Sequence, residues 1–101
     1  DCSLDILSRK GRVALLCIND IDGISDRHID GMNILFESYP PQGIVVLTSV
    51  NGEDVEGMVD IEGVEVYTID AMTLRSVIRA DVGDVVLYNG VVEYKTDIRA
   101  I

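Results

Sequence analysis

The sequence predicts an α/β fold: a three-layer, Rossmann-like domain with a four-stranded, mostly parallel sheet and helices on both faces. Three observations predict it. Gly63–Ile78 (GVEVYTIDAMTLRSVI) passes from strand period to helix period. Val64 and Val66 alternate with Glu65 and Tyr67, and Leu74, Val77 and Ile78 then fall at i, i+3 and i+4. Two continuous apolar runs of strand length, RVALLCI (Arg12–Ile18) and GIVVLT (Gly43–Thr48), look like strands buried on both faces, as in parallel sheets. Strands and helices alternate along the chain, and right-handed βαβ crossovers turn that order into a parallel sheet.

Taken in order, residues 1–9 group Leu4, Ile6 and Leu7 and read as the tail of a helix that Lys10-Gly11 ends. Arg12–Ile18 is the first strand, and NDIDG (Asn19–Gly23) is the loop at its carboxyl end. Ser25–Tyr39 carries Ile29, Met32, Leu35, Phe36 and Tyr39 at helical spacing, with Ser25 or Asp26 as cap and Pro40-Pro41 as the stop. Gly43–Thr48 is the second strand, and Asn51-Gly52 is a turn. Glu53–Val59 reads as a short helix with Val55, Met58 and Val59 inward. After the third strand, Asp70 caps a helix over Leu74, Val77 and Ile78. Asp84–Tyr88 (DVVLY) is the fourth strand. Asn89-Gly90 then leads into an expected last helix with Val91, Tyr94 and Ile98 on one face.

Length and composition bound the function. The 101 residues suit one domain with a real core, expected to span 1–101. No apolar run approaches the roughly 20 residues that cross a bilayer, so no membrane partner is expected. Two cysteines make neither a disulfide framework nor a zinc site, and Cys17, inside VALLCI, reads as a small buried hydrophobe. Eight Lys and Arg against eighteen Asp and Glu give a net charge of −10, which excludes a broad basic surface for nucleic acid. The imbalance is uneven. Nine acids and no Lys or Arg lie between Arg27 and Arg75, and the basic residues collect toward the two ends.

In open α/β sheets ligands sit beyond the carboxyl ends of the strands. Those ends carry Asn19, Asp20 and Asp22, Thr48 and Ser49, Asp70, and Asn89. Asp20 and Asp22 offer hard oxygen ligands for Mg²⁺, as a receiver-like or Toprim-type domain would, although such residues equally serve as loop and cap groups. A receiver also needs an Asp ending its middle strand and a Lys ending a later one, and Thr48, Asp70 and Asn89 stand there instead. No glycine-rich phosphate loop is present, and no cofactor is expected. His28 has no Cys or Ser beside it for a nucleophile pair and reads as a surface or cap-adjacent residue. Arg75 and Arg79, four apart, either grip a phosphate together or pair with Asp81 or Asp84.

From Val13 onward the blocks VALLCI, IVVLT, NGEDVEGMVD, GVEVYTIDAMTLRSVIRAD and GDVVLYNGVVEYKTDI follow one another in the order and spacing of a known family. With Gly63, Val64, Val66, Leu74, Arg79, Asp81 and Val85–Leu87, they resemble the carboxyl-terminal half of ribosomal large-subunit protein L-four. The resemblance implies a non-enzymatic, rRNA-binding protein of the large ribosomal subunit, split or diverged, and organellar (mitochondrial) rather than cytosolic. It also implies neighbouring ribosomal proteins and a separate amino-terminal piece of the same fold as partners. Arg9, Lys10, Arg12, Arg75 and Arg79 are the expected phosphate contacts. The acidic middle is expected to face solvent or a basic protein.

Overall fold

The computed structural model describes residues 10–20, 24–49 and 63–100. The expected helix tail at residues 1–9 and the short helix at Glu53–Val59 lie outside them.

The first half of the described chain folds as its apolar runs predict. Strand β1 (Arg12–Ile18) leads through helix α1 (Asp26–Ser38) and a 3₁₀ turn (Pro41–Gly43) into β2 (Ile44–Thr48). The two strands pair in parallel, from Ala14 opposite Ile44 to Ile18 opposite Thr48. Strand β3 (Glu65–Thr68) adds to β2 in parallel, from Val45 opposite Glu65 to Thr48 opposite Thr68. Local chemistry fixes the helix ends. Ser25 is the N-cap of α1, and its N–H donates to His28 Nδ1 at 2.9 Å, closing a capping box with His in the place Glu or Gln usually takes. His28 is thus cap-adjacent as expected, but it is buried rather than on the surface, and a Ser does stand beside it: Ser25 Oγ lies 2.9 Å from His28 Nδ1. Asp70 caps α2 (Ala71–Val77) by accepting from the Thr73 N–H at 3.1 Å.

The second half departs from the expectation. The sheet has five strands in the order β3-β2-β1-β4-β5 and is mixed, not four-stranded and mostly parallel in the Rossmann manner. Strand β4 (Val82–Tyr88) runs antiparallel to β1, from Arg12 opposite Tyr88 to Ile18 opposite Val82. The two antiparallel ladders are longer than the two parallel ones. The physical reason is the length of α2. Its 7 residues rise only about 10 Å, less than half the length of a seven-residue strand. Ile78–Asp81 therefore delivers the chain to β4 at the end of the sheet where β3 finished, and β4 must run back.

The expected last helix is also corrected. Asn89 and Gly90 both have positive φ, 51° and 83°, as a two-residue type I′ hairpin turn requires. Beyond the turn, Val91–Asp97 is strand β5, antiparallel to β4, and only Ile98–Ala100 is helical, as a single 3₁₀ turn.

Two cores lie on the two faces. Ala14, Leu16, Ile18, Ile44, Val46 and Val82 pack beneath Met32 and Leu35 of α1, together with Ile98. Val13, Leu15, Cys17, Val45, Leu47, Val85 and Leu87 pack with Leu74 and Ile78 from α2 and the bend after it. Gly83 lets that bend approach closely. A Cβ there would overlap the Ile78 side chain, at 2.9 Å from Cγ1 and closer still to Cδ1.

Candidate functional site

Asn19, Thr48 and Asp70, expected to line a ligand site at the strand ends, are spent on holding the fold together. Asn19 follows β1 and is buried. Its Nδ2 donates to the carbonyls of Ile78 and Ala80, both at 2.9 Å, and its backbone N–H donates to the Asp81 carbonyl at 2.8 Å. The bend between α2 and β4 is thereby fastened to the end of β1. Thr48 Oγ1 donates to the Ile18 carbonyl at 3.1 Å, and the Ile69 N–H donates to the Thr48 carbonyl at 2.8 Å. Asp20 is half-buried, with its N–H 3.3 Å from the Asp81 carbonyl, while Asp22 lies outside the described residues. Among the described residues no group of three potential metal ligands converges.

Asn89 is not at this end. Because β4 runs backward, the hairpin turn lies beside the start of β1. There Asn89 Oδ1 accepts from the Gly11 N–H at 2.7 Å, and the Asn89 N–H donates to the Gly11 carbonyl at 3.0 Å.

The basic candidates separate into two groups. Lys10 and Arg12 stand at the start of β1. Arg79 stands beside the far end of that strand, where Asn19 binds its neighbours Ile78 and Ala80, and Arg75 is one helical turn earlier. Arg12 is already engaged. Its guanidinium bonds Glu93 at 3.1 and 3.5 Å and lies over the Tyr88 ring at 5.7 Å. Arg75 and Arg79 do not pair with Asp84, which is wholly buried. Arg9 lies outside the described residues.

Asp84 is the one acidic side chain buried in the core among the described residues. Its side chain is 0% exposed, and neither carboxylate oxygen has a hydrogen-bond partner. Burial pushes its carboxyl up to about 6. A charge inside the apolar run VGDVVLY was the available signal. Cys17 is buried as expected, and burial, reinforced by the Asp84 charge, pushes its thiol up to about 12, far from the range of a working nucleophile.

The hairpin leaves a run of apolar side chains open, as α1 does at Ile29 and Ile34 and α2 at Met72. Tyr88, Val91, Val92 and Tyr94 are exposed, Val91 by 69%, and among the described residues β5 is an edge strand with only β4 beside it. Its first five residues, Val91–Lys95, are all exposed. A bulge, where Val86 pairs with Tyr94 but Leu87 with Val92, gives β5 one extra residue. Two ties hold the strand in place. Lys95 Nζ donates to the Val77 carbonyl at the end of α2 at 2.6 Å, and Glu93 holds Arg12. Burial, with Tyr94 nearby, pushes the Tyr39 phenol up to about 12.

No described helix is long and apolar enough to cross a membrane. Comparison of the chain with protein-family models, with curated proteins and with solved structures returns no match.

Proposed function

We propose that this chain is a non-catalytic assembly domain that acts by offering the edge of strand β5 to another polypeptide strand. The observation that carries the reading is the exposed run Val91–Lys95. It combines β-branched and aromatic side chains with a backbone edge that no described strand pairs. Strand addition to such an edge draws its affinity from main-chain hydrogen bonds and its selectivity from alternate side chains. The β3 edge is the weaker offer, since β3 has four residues and begins with an exposed Glu65.

The polar groups elsewhere support binding over chemistry. Asn19 and Thr48 serve carbonyls of the chain itself, His28 serves the α1 cap, and the Cys17 thiol is held protonated. A Cys-x-x-Cys beside a βαβ unit would have marked a thioredoxin-like dithiol centre. Here the two cysteines are Cys2 and Cys17.

The test is a photo-cross-linking amino acid placed at Val91 and, as a control, at the exposed Met72 of α2. The reading expects an adduct of defined mass from Val91 alone. No adduct from Val91, or the same adducts from both sites, would overturn it.

A second reading is the role in the large ribosomal subunit, organellar or otherwise, that the sequence resemblance implies, with rRNA as the partner. Lys10, Arg75 and Arg79 favour it, because each is exposed and makes no ion pair with a described residue. Sedimentation of a native lysate on a sucrose gradient tests it. Co-migration with large subunits through moderate salt is expected, and a chain that stays at the top of the gradient excludes it.

A further inference from the structure

Asp84 has packed core on one side of it and a single strand on the other. In the register of the sheet it stands between Leu16 of β1 and Thr96 of β5. Residues directly opposite share a face, so all three lie on the α1 side. Leu16 belongs to the buried cluster with Met32 and Leu35. Thr96 is only half-buried, and the five residues before it, Val91–Lys95, are all exposed. Both oxygens of Asp84 are buried without a hydrogen-bond partner. A charge there is hydrated only when its cover moves, and the edge strand is the cover that moves at least cost. Among the described residues no charge offsets it, and burial is what raises its carboxyl. On β1, Arg12 is committed to Glu93 of β5, and the Cys17 thiol, on the other face, is held protonated. On β5, Lys95 lies on the α2 face and donates to the Val77 carbonyl, Tyr94 is exposed, and Asp97 is bonded to Arg99 of the 3₁₀ turn. On α1, His28 accepts from the Ser25 cap, and burial holds the Tyr39 phenol protonated.

We infer that Asp84 is a proton switch on the β5 edge: uncharged, it lets β5 close against β4 and present its free side, and charged, it opens the β4–β5 ladder at Tyr94–Asp97 to water. The inference rests on the reading of β5 as a docking edge and adds the regulation of that edge. A strand can be added only to a β5 that is in place, so strand capture and protonation of Asp84 favour each other by linkage. The sign follows from the closed and open states. Closed, burial holds the carboxyl at about 6; open to water, it returns toward its ordinary 3.8. The closed state therefore binds the proton more tightly. Closure is fully favoured below about pH 4 and is lost as pH rises through about 6. Between pH 5 and 7 the open fraction of β5 rises about tenfold. Docking at the edge strengthens in acid. Asp97, whose carboxyl Arg99 holds below the usual range, stays charged across that interval and adds nothing to the change.

The experiment is amide hydrogen exchange of the full chain and of Asp84→Asn at pH 5 and 7, each rate corrected for the intrinsic pH dependence of exchange and each repeated in low urea. Unfolding of the whole chain also frees Asp84, so the level and the urea response separate local opening from global. In the native chain, amides of Tyr94–Asp97 are expected to exchange at least tenfold faster than those of β1 and β2 and to ignore low urea. Their opening is expected to rise about tenfold from pH 5 to 7 and to stay level in Asp84→Asn. Circular dichroism reports whether the variant is folded. Asp84→Val, which cannot titrate either, gives the same comparison where the amide does not fold. A level response in the native chain, an equal rise in the variant, or a β5 that exchanges only with β1 and β2 overturns the inference. The chain is measured alone, so the switch is read with or without a partner. If it fails while the cross-linker at Val91 still gives a defined adduct, the docking edge stands and only its regulation is wrong.

Discussion

Leu16 and Asp84 stand directly opposite each other on neighbouring antiparallel strands, and both are wholly buried. One is an ordinary core residue. The other is a carboxylate set beneath α1 with neither oxygen hydrogen-bonded. Such a group costs stability whenever it is charged.

The cost has a sign in pH. Burial raises the Asp84 carboxyl from its ordinary 3.8 to about 6, so the folded chain binds more protons than the unfolded chain between those values. Stability contributed by this group is present below about pH 4 and is lost as pH rises through about 6. The loss amounts to about 3 kcal/mol by the usual conversion. Asp84→Asn should raise stability at pH 7 by about 1–2 kcal/mol, because an amide left unpaired costs less than a charge. It should also flatten the decline between pH 4 and 7. Urea unfolding of both chains at pH 4, 5 and 7 checks this. A parallel pH dependence in the two chains would contradict it.

Asn19→Ala should destabilise the fold by about 2–3 kcal/mol, since it leaves the carbonyls of Ile78 and Ala80 without their donor. The damage is local in origin, at the bend between α2 and β4. Amide exchange should therefore quicken first at Val82 and Gly83. Asn19→Asp should be as harmful, because a carboxylate cannot donate to a carbonyl.

Asn89→Ala should cost about 1–2 kcal/mol, from the lost bond to Gly11 and from the positive φ that Ala resists. Asn89→Gly, which accepts the backbone shape but not the bond, should lie between the two. Thermal melts of the three chains order them directly.

The Mg²⁺ reading of Asp20 and Asp22 makes an opposite prediction to the binding-domain account. With Asn19 turned to the protein interior and Asp20 half-buried beside the Asp81 carbonyl, millimolar Mg²⁺ should leave Tm unchanged, in the native chain and in Asp20→Asn alike. A Tm rise with Mg²⁺ that disappears in Asp20→Asn would restore the metal reading.

The sequence made the interior legible and the direction of the chain illegible. RVALLCI, IVVLT and the Leu74–Ile78 stripe announced β1, β2 and α2, because continuous or periodic burial leaves a continuous or periodic apolar record. Strand β4 shows the limit. It is buried on both faces by α1 and by the α2 bend, so an antiparallel strand carries the apolar run usually seen in parallel ones. Its direction is set by the four residues Ile78–Asp81, and a connection that short does not declare itself in hydropathy. Strand β5 carries two competing signals. Val91, Tyr94 and Ile98 fall near helical spacing, but Asn-Gly between VVLY and VVEYKT is the stronger hairpin signal, and the β-branched residues agree with it. Of the candidate site, Asn19 and Asp70 were placed at the correct end of the sheet. Asn89 was placed at the wrong one as a direct consequence of the reversed β4.

The measurement that tests the central claim most directly is hydrogen exchange at β5, comparing the chain alone with the chain in the complex captured through the cross-linker at Val91. A β5 edge that takes a strand predicts slowed exchange confined to Val91–Asp97, with α1 and α2 unchanged. Equal exchange at β5 in the two samples, or protection that appears on α1 or α2 instead, would contradict it.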